Sequence, residues 1–380
     1  MKRQDHYFGI VSIIAIFLLL FSLLGLYPSA ETKASSLNVS ARSAVLYVPE
    51  TNNFIYTKNS RERLPMASTT KIMTALIALE KCDVNEIVKI DDSAIGIEGS
   101  SAYLRNGDEL TMNELIYALL LQSANDAAVA IACHIGGSVE NFADIMNEYA
   151  SKIGLVDTHF ENPHGLDEKN HYTTAEDLAK LAAEALSNPQ FKEITSTYKR
   201  SFITEERSRT YVNHNKLLNM YDGCIGVKTG FTTKSGRCLV GAAERDGLTF
   251  VTVTLDAPND WQDHKNMLDM GYERMEKLVF ASPFEYKYEL PVLSGTSDRL
   301  TVTNDDGAYL ICERLNSNFE SHVRLSRFVI APINAGDILG EVIFTIDGRE
   351  CARVNLVAAE NIASNENKTF FRKITSIFKK

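Results

Sequence analysis

The chain has 380 residues, 45% of them hydrophobic, and a formal net charge of −10. This length allows about two domains with ordinary hydrophobic cores. An acidic chain without a clustered basic face, apart from its last residues, is a poor candidate for nucleic-acid binding, so we expect no nucleic-acid partner.

Residues 1–34 have the pattern of a signal peptide. Lys2 and Arg3 precede an apolar stretch over residues 8–26, and small residues follow up to Ala34. The apolar stretch is close to the length that spans a bilayer, so retention as a membrane anchor is the alternative to cleavage after Ala34. In both cases the pattern predicts a protein that works outside the cytoplasm.

The cysteines do not indicate a disulfide framework in a chain of this length, and none shows metal-ligand spacing. Cys224 and Cys238 flank a predicted hairpin, so one bridge is possible, but buried free thiols are the favoured interpretation. No metal and no cofactor is predicted. The six cysteines are Cys82, Cys133, Cys224, Cys238, Cys312 and Cys351.

The order of predicted elements indicates an α+β fold. Runs at Ala44–Tyr47 and Phe54–Thr57 predict a hairpin, and three late runs predict strands at Gly223–Lys228, Arg237–Ala242 and Thr249–Leu255. A long helical block separates the two groups. We therefore expect an antiparallel sheet assembled from both ends of the domain and packed against helices.

Capping signals divide the helical block. Thr111 and Glu114 form a capping box, and Gly136-Gly137 closes the next helix. Ser138 and Thr174 are candidate N-caps of two further helices.

Beyond about residue 285 the chain changes to short β-type runs separated by turns. These runs predict a separate β-rich domain over residues 285–360, which contains no convergent set of catalytic residue types. A spacer or interaction role is expected. The runs are Tyr286–Leu290, Leu300–Thr303, Val323–Ile330, Glu341–Ile346 and Arg353–Leu356.

Residues 361–380 are predicted to form a basic amphipathic helix on the outer face of the cytoplasmic membrane. The alternative is a solvated, disordered tail. The apolar face would contain Phe370, Phe371, Ile374, Ile377 and Phe378. The opposite face would contain Lys368, Arg372, Lys373, Lys379 and Lys380.

Ser68 and Lys71 are the first candidate catalytic pair. They lie where Pro65 gives way to an apolar helical run, so they share one helix face. A serine becomes a nucleophile when a nearby base takes its proton, and a lysine can act as that base if its pKa is lowered. Alone, the pair is also typical of a helix N-cap serine.

Two further motifs supply polar groups. Ser123 and Asn125 interrupt a helical run with a hydroxyl and an amide, which can relay a proton and hold a peptide group. Lys228, Thr229 and Gly230 lie on the first late strand, where a charge, a hydroxyl and an unobstructed backbone could hold an extended substrate ending in a carboxylate. Each motif has a structural alternative, an ordinary turn and an ordinary hairpin strand.

The motifs occur in the order Ser-x-x-Lys, Ser-x-Asn and Lys-Thr-Gly, the order of penicillin-binding proteins and class A β-lactamases, whose middle motif is Ser-Asp-Asn. The chain resembles the low-molecular-weight penicillin-binding proteins that are D-alanyl-D-alanine carboxypeptidases of the peptidase S11 type. The segments Asn162–Leu166, Asp222–Gly236 and Ala331–Ile333, with Gly336-Asp337, extend the likeness over nearly all of the mature chain. It implies a β-lactamase/transpeptidase-like domain, placed at residues 35–284, before the β-rich domain.

The resemblance also implies a role for each matched residue. Ser68 would be acylated by the penultimate D-alanine of a peptidoglycan pentapeptide stem, Lys71 would take its proton, and Ser123 would pass a proton to the departing D-alanine. Asn125 would hold the substrate backbone. The terminal carboxylate would bind Lys228 and Thr229 beside Gly230, and the backbone N–H groups of Ser68 and Phe231 would form the oxyanion hole. β-Lactams would be inhibitors.

Two other functions fit the sequence less well than the carboxypeptidase does. A serine β-lactamase needs a general base for fast deacylation, and Glu161 falls in the right interval but directly precedes Asn162-Pro163-His164-Gly165-Leu166 instead of lying in a Glu-x-x-Leu-Asn context. A non-catalytic wall-binding protein is disfavoured because all of the expected side chains are present. His164 is interpreted as part of a structural loop rather than as a titrating catalytic group.

Overall fold

The computed structural model describes residues 37–203, 208–315 and 318–365. The predicted signal segment and residues 366–380 of the predicted tail lie outside these ranges, so both remain predictions. Among the described residues, no helix combines the length and the apolar character needed to cross a bilayer. The described residues from Val39 onward form one compact unit.

The described ranges contain eight α-helices, which we number in chain order. They are α1 Lys71–Lys81, α2 Met112–Leu121, α3 Asn125–Gly136, α4 Val139–Lys152, α5 Ala175–Ser187, α6 Pro189–Ser196, α7 Leu217–Met220 and α8 Asp260–Arg274.

The strands of the same ranges are also numbered in chain order. They are β1 Ser43–Val48, β2 Asn53–Lys58, β3 Ile87–Lys89, β4 Glu109–Thr111, β5 Lys199–Ile203, β6 Ser208–Val212, β7 Cys224–Thr232, β8 Gly236–Arg245, β9 Leu248–Leu255, β10 Met275–Ala281, β11 Lys287–Leu293, β12 Arg299–Thr303, β13 Ala308–Glu313, β14 Phe319–Leu325, β15 Val329–Ile330, β16 Ile338–Ile346 and β17 Arg349–Ala358.

The central sheet has the order β2-β1-β9-β8-β7, and its neighbouring strands are antiparallel. The strands come from both ends of the domain, with Ser43 of β1 paired to Leu255 of β9. This confirms the predicted sheet. Its edge strand β7 lies against the turn that contains Ser68, so sheet closure brings two of the three motifs together.

Helices cover both faces of the sheet. Side chains of a strand alternate between faces, and Val45 and Val253 belong to the core shared with the helical block, whereas Leu46 packs toward Gly271 of α8. All six residues of β1 are consequently buried. Burial on both faces explains why this strand is almost continuously apolar instead of alternating.

The predicted caps are present in the helical block. The hydroxyls of Thr111, Ser138 and Thr174 accept hydrogen bonds from backbone N–H groups at the starts of α2, α4 and α5. Gly137 ends α3 with a φ of 76°, a left-handed value that glycine adopts without steric cost. These helix ends were therefore predictable from local sequence.

A second hydrophobic core lies in the C-terminal β-rich region. It joins the two-stranded sheet β10-β13 to the six-stranded sheet β14-β16-β17-β12-β11-β15. Phe280 of β10 belongs to this core although it precedes the predicted boundary at residue 285. Ile362 also packs in it and pairs with Ile333, so the first residues of the predicted tail lie on this β-rich region.

Some local predictions were wrong. The run Val323–Ile330 is two strands, because the chain leaves β14 after Leu325 and β15 then pairs in parallel with β11. For the cysteines, the favoured interpretation of free thiols is confirmed and the alternative bridge between Cys224 and Cys238 is absent. Cys224 lies opposite Ala243 and Cys238 opposite Gly230, far apart along the hairpin. All six thiols are free, and only that of Cys238 belongs to a buried residue.

Phe344 is the centre of the second core, and we predict that its truncation is costly. Its buried ring stacks on Phe280 at 5.3 Å and contacts Phe319 edge-on at 6.4 Å. Phe344→Ala should lower the free energy of unfolding by about 3–5 kcal/mol because it leaves a cavity. Phe328→Ala, at a residue that is 51% exposed, should cost under about 0.5 kcal/mol.

The measurement is urea unfolding followed by far-ultraviolet circular dichroism. Equal midpoints for the two variants would contradict the assignment of Phe344 to a packed core.

Candidate active site

The candidate nucleophile lies on a tight turn ahead of α1. Residues Ala67–Thr70 form a 3₁₀ turn, and the α-helix begins at Lys71. A 3₁₀ turn has three residues per turn, so residues i and i+3 lie directly above one another. The result is a distance of 2.9 Å between Lys71 Nζ and Ser68 Oγ. The predicted pair is therefore in contact across a 3₁₀ turn, with Lys71 as the first residue of the α-helix.

Side-chain hydrogen bonds hold this turn in a strained backbone conformation. Ala67 has a φ of 48°, which is unfavourable for a residue with a Cβ atom. Its carbonyl oxygen accepts from the Thr70 hydroxyl at 2.8 Å, and that hydroxyl lies 2.7 Å from His171 Nε2. His171 Nδ1 accepts from a backbone N–H, so the ring is neutral and donates through Nε2. The His171–Thr70 chain thereby fixes the residue before the nucleophile.

Lys71 is fully buried and has three oxygen partners. Besides Ser68 Oγ, its Nζ lies 2.6 Å from Asn125 Oδ1 and 2.6 Å from the carbonyl oxygen of His164. The amide and carbonyl oxygens can only accept, whereas the serine hydroxyl can also donate. An uncharged amine would place its two N–H groups on the two obligate acceptors and direct its lone pair at the Ser68 hydroxyl.

Burial and charge both favour that uncharged form. Desolvation lowers the pKa of Lys71 well below its ordinary value, and the nearby Lys228 lowers it further, while Asp126 opposes the shift. The site therefore supplies the condition that a lysine base requires.

The Ser123–Asn125 turn connects the two lysines. It joins α2 to α3, and Ser123 has a φ of 59°. Ser123 Oγ accepts from Lys228 Nζ at 3.0 Å, and Asn125 holds Lys71 from the other side of the turn. The Asn125 amide donates to the carbonyl oxygen of Glu98 at 2.5 Å, which fixes the orientation of its oxygen.

Lys228 lies on edge strand β7 and is 1% exposed. Its ammonium also donates to the carbonyl oxygen of Thr229 at 3.0 Å. Burial lowers the pKa of Lys228 to about 7. The Lys228 ammonium has three N–H donors. Within the described residues its acceptors are Ser123 Oγ and the carbonyl oxygen of Thr229, which leaves one N–H for a ligand.

Gly230 allows β7 to approach the nucleophile. A Cβ atom at this position would lie 3.0 Å from the backbone nitrogen of Ser68 and 3.1 Å from Ala67 Cβ. The sequence predicts that a glycine here lets a ligand lie along the strand, because it has no side chain to obstruct the ligand. The structure adds a second reason, which is contact between the strand and the 3₁₀ turn.

These elements border an open cleft of about 380 Å³. Ser68, Ser123, Thr229, Gly230 and Phe231 line it, while Lys71, Asn125 and Lys228 lie buried behind the wall. The structure thus brings every predicted side chain to one site. Sequence reasoning missed the remaining lining residues, which carry no local motif: Ser100, His214, Lys216, Arg237, Cys238, Asp260 and Trp261.

Arg237 is the most strongly positioned of the missed residues. Its guanidinium bonds both carboxylate oxygens of Asp260, at 2.9 and 2.8 Å, and lies 5.7 Å from the ring centre of Trp261. Both bonds come from one nitrogen, Nη2, and they are charge-assisted because the guanidinium and the carboxylate carry opposite charges. It holds a cationic group at the mouth of the cleft.

His164 and Glu161 do not act as bases here. His164 meets Lys71 through its carbonyl oxygen, while its ring Nδ1 accepts from Leu166 N, and burial lowers its pKa to about 3. The Glu161 carboxylate accepts from the backbone and side chain of Asn170, at 2.7 and 3.2 Å. It is absent from the lining of the cleft described above, so a β-lactamase-like base is not provided by Glu161.

Most of the chain matches two known protein-family models. The family model described as D-alanyl-D-alanine carboxypeptidase matches residues 30–259, more than half of the chain. The chain belongs to the D-alanyl-D-alanine carboxypeptidase family. The family model of the C-terminal domain of penicillin-binding protein 5 matches residues 283–364, in agreement with the second hydrophobic core.

Individual carboxypeptidases of this family align over most of their length. D-alanyl-D-alanine carboxypeptidase DacF of Bacillus subtilis (strain 168) is 30% identical over 373 residues, covering 95% of this chain and 96% of that protein. Penicillin-binding protein 5 of Haemophilus influenzae is a solved structure with 26% identity and a TM-score of 0.63, covering 87% of this chain and 100% of its own. The Streptomyces K15 DD-transpeptidase is 32% identical, with a TM-score of 0.60, over 63% of this chain and 99% of its own.

Gly165 provides a test of how the site of this family member is held in place. Its φ is 91°, and an added Cβ atom would lie 1.9 Å from the carbonyl oxygen of Ala67. Gly165→Ala should therefore displace the residue before Ser68, lower the free energy of unfolding by about 3 kcal/mol or more and slow acylation. The matched control is Gly154→Ala, with a φ of 75° and no neighbouring atom within 4 Å. It should cost about 1 kcal/mol.

Urea unfolding and the rate of labelling by a fluorescent penicillin measure the two effects. Similar losses of stability in both variants, together with unchanged labelling rates, would show that the Gly165 contact does not constrain the site.

Proposed function

We propose that this protein removes the terminal D-alanine from peptidoglycan pentapeptide stems through an acyl-enzyme on Ser68, as a serine-type D-alanyl-D-alanine carboxypeptidase. One observation carries the proposal: the buried amine of Lys71 lies 2.9 Å from Ser68 Oγ, while its other two partners can only accept hydrogen bonds. Family membership supplies the substrate class.

Acylation begins with proton transfer from Ser68 to Lys71. The Ser68 oxygen attacks the carbonyl carbon of the penultimate D-alanine, and the negative charge that develops on the carbonyl oxygen is bound by the backbone N–H groups of Ser68 and Phe231. Fixed donors of this kind contribute a few kcal/mol to the transition state. The close approach of β7 at Gly230 supports this pairing of two backbone amides.

The leaving D-alanine needs a proton on its nitrogen. Ser123 is placed to deliver it, because its hydroxyl contacts the Lys228 ammonium at 3.0 Å and lines the cleft with Ser68. The departing carboxylate is held by the remaining Lys228 donor and the Thr229 hydroxyl. Asn125 holds the peptide backbone of the substrate.

As D-alanine leaves, the proton that Lys71 took from Ser68 replaces the one that Ser123 gave to the leaving nitrogen, so Lys71 is uncharged again. A water molecule then attacks the acyl carbonyl carbon while Lys71 takes its proton, and this proton passes to the Ser68 oxygen as the ester bond breaks. An opened β-lactam keeps its leaving amine tethered at the site, which obstructs this water, so penicillins form a long-lived adduct. The bonding of Glu161 to Asn170 supports slow hydrolysis of that adduct, because Glu161 does not line the cleft. The carboxylate that does line it, that of Asp260, is bonded to Arg237. β-Lactams are accordingly inhibitors instead of substrates turned over rapidly.

We place the protein outside the cytoplasm, on the outer face of the cytoplasmic membrane. The segment of Lys2, Arg3 and the apolar stretch 8–26 supports export. The basic amphipathic tail supports attachment to the membrane surface.

Labelling of Ser68 tests the function directly. Ser68→Ala should abolish both covalent penicillin labelling and release of D-alanine from a pentapeptide, while leaving the unfolding midpoint little changed, because the hydroxyl is removed from a partly exposed site. Ser100→Ala, which removes another hydroxyl from the cleft lining, should retain both activities within about threefold.

Detection is by gel fluorescence and by assay of free D-alanine. Persistent labelling of Ser68→Ala would refute Ser68 as the nucleophile. Loss of label from the wild type within seconds of a chase would instead indicate a β-lactamase.

The two lysines predict a bell-shaped pH dependence of kcat/KM. Acylation needs Lys71 uncharged, so the rate rises as pH increases through its lowered pKa. It also needs Lys228 charged, so the rate falls as pH increases through about 7. Lys228→Arg keeps its charge at all accessible pH values and should remove the alkaline fall, at a reduced maximum rate.

Steady-state hydrolysis of a depsipeptide between pH 5 and 9 gives the profile. The control is a substrate amidated at its C-terminus, which should be poor and should lack the alkaline fall in the wild type. A wild-type rate that continues to rise to pH 9 would exclude the proposed role of the Lys228 charge.

Truncation tests the membrane tail. Because Ile362 packs in the second core and Asn365 N donates to Ser294 O, the cut belongs after residue 365. Removal of residues 366–380 should release the mature protein to the soluble fraction. A matched full-length variant, Phe371→Glu with Ile374→Glu, should do the same without shortening the chain. Continued sedimentation of both with membranes would favour retention of the stretch 8–26 as the anchor.

A further inference from the structure

Helices α1 and α3 meet at both ends. At their N-terminal ends, Lys71 and Asn125 are hydrogen bonded in the active site. At their C-terminal ends, Cys82 follows α1 and His134 lies in the last turn of α3. Glu86, four residues after Cys82, completes a cluster at this second junction, and its carboxylate lies 3.1 Å from His134 Nε2.

We propose that Cys82, Glu86 and His134 form a binding site for a zinc ion. One thiol sulfur, one carboxylate oxygen and one imidazole nitrogen all lie within 4.8 Å of one another. Zinc binds these three donor types at about 2.0–2.3 Å in tetrahedral geometry, so neighbouring ligand atoms end about 3.3–3.6 Å apart. The observed spacing reaches this geometry with small side-chain rotations, and water completes the fourth position.

The ligand set favours zinc over the hard cations. Calcium and magnesium are bound by oxygen atoms, whereas a thiolate with an imidazole is typical of zinc and its softer neighbours. The spacing of the cysteines in the sequence does not reveal this cluster, because His134 lies in α3 whereas Cys82 follows α1.

The backbone that carries the ligands is fixed without a metal. Glu86 N donates to Asp83 O at 3.0 Å, closing a turn. The carbonyl oxygens of Val84 and Glu86 accept from the first residues of α2, Asn113 and Met112, each at 2.9 Å. A site on such a frame loses little conformational entropy when the ion binds.

The local charge also favours a cation. The C-terminal ends of α1 and α3 carry partial negative charge from their free carbonyl groups, and both ends converge here. Glu86 adds a full negative charge, whereas Lys81 is the opposing positive group. The thiol loses its proton when it binds zinc, as any cysteine ligand does.

This site lies away from the residues proposed to carry the peptidase reaction. Helix α1 has eleven residues, so about 16 Å of helix separates the cluster from Lys71. A metal that ties the C-terminal ends of α1 and α3 would stabilise the frame that holds Lys71 and Asn125 in contact. The measurable effect of zinc is therefore on stability. If the zinc proposal is wrong, the proposed peptidase function is unaffected.

The absorption spectrum of bound cobalt(II) tests the site, because cobalt(II) occupies zinc sites. A thiolate-to-metal charge-transfer band appears only when a cysteine is a ligand of the cobalt. The full mature protein, with its thiols reduced, should bind one cobalt ion with this band, and added zinc should remove it. Cys82→Ser should abolish the band, while the matched control Cys133→Ser, at the residue next to His134, should keep it. Glu86→Gln and His134→Gln should weaken zinc binding about tenfold or more.

Thermal unfolding gives an independent measurement. Zinc at about a hundredfold excess over its Kd should raise the Tm by about 3–6 °C, and a chelator should reverse this rise. Neither change should occur in Cys82→Ser. Cobalt binding without a charge-transfer band, a band that depends on Cys133 instead of Cys82, or a Tm that does not respond to zinc would overturn the proposal.

Discussion

Two lysine amines buried against one cleft are the constraint on which the site depends. Neither Lys71 nor Lys228 has significant exposure, and burial lowers the pKa of both. The charge on Lys228 lowers the pKa of Lys71 further. Burial and mutual repulsion therefore favour a state in which Lys71 is neutral and Lys228 is charged, which is the state that the proposed mechanism requires of its base and its anion-binding group.

The frame around these amines keeps unfavourable backbone conformations in place. Ala67 and Ser123 both have left-handed φ values, which cost about 1–3 kcal/mol each and persist only when neighbouring contacts enforce them. Thr70 bonds the carbonyl of Ala67, and the buried carboxylate of Asp126 accepts from Ala102 N and Leu104 N beside the Ser123 turn. Two of the positive φ values in the described residues thus lie in the site, at the residue before Ser68 and at Ser123, the partner of Lys228.

Much of this arrangement was predictable from the sequence, for reasons that differ between elements. Local chemistry identified the caps at Thr111 and Ser138, and short β-type runs on both sides of the helical block identified the sheet. Motif order identified the catalytic side chains. Arg237 and Lys216 escaped, because they reach the cleft only through the long-range packing of β8 and the segment before α7. The role of Gly230 against Ser68 likewise depends on contact between distant segments.

The strand order of the central sheet sets when the site can exist. β1 is paired on one side by β2, a neighbour in sequence, but on the other by β9, which lies about two hundred residues later. Such long-range pairing incurs loop-closure entropy before it gains contact energy, so folding is slow compared with that of chains rich in local contacts. During synthesis, which proceeds from the N-terminus, Ser68 is made early, whereas Lys228 and strand β7, which carries it, are made much later. The ability of Ser68 to be acylated must therefore appear abruptly near the end of folding. The time at which it appears reports when the central sheet is complete.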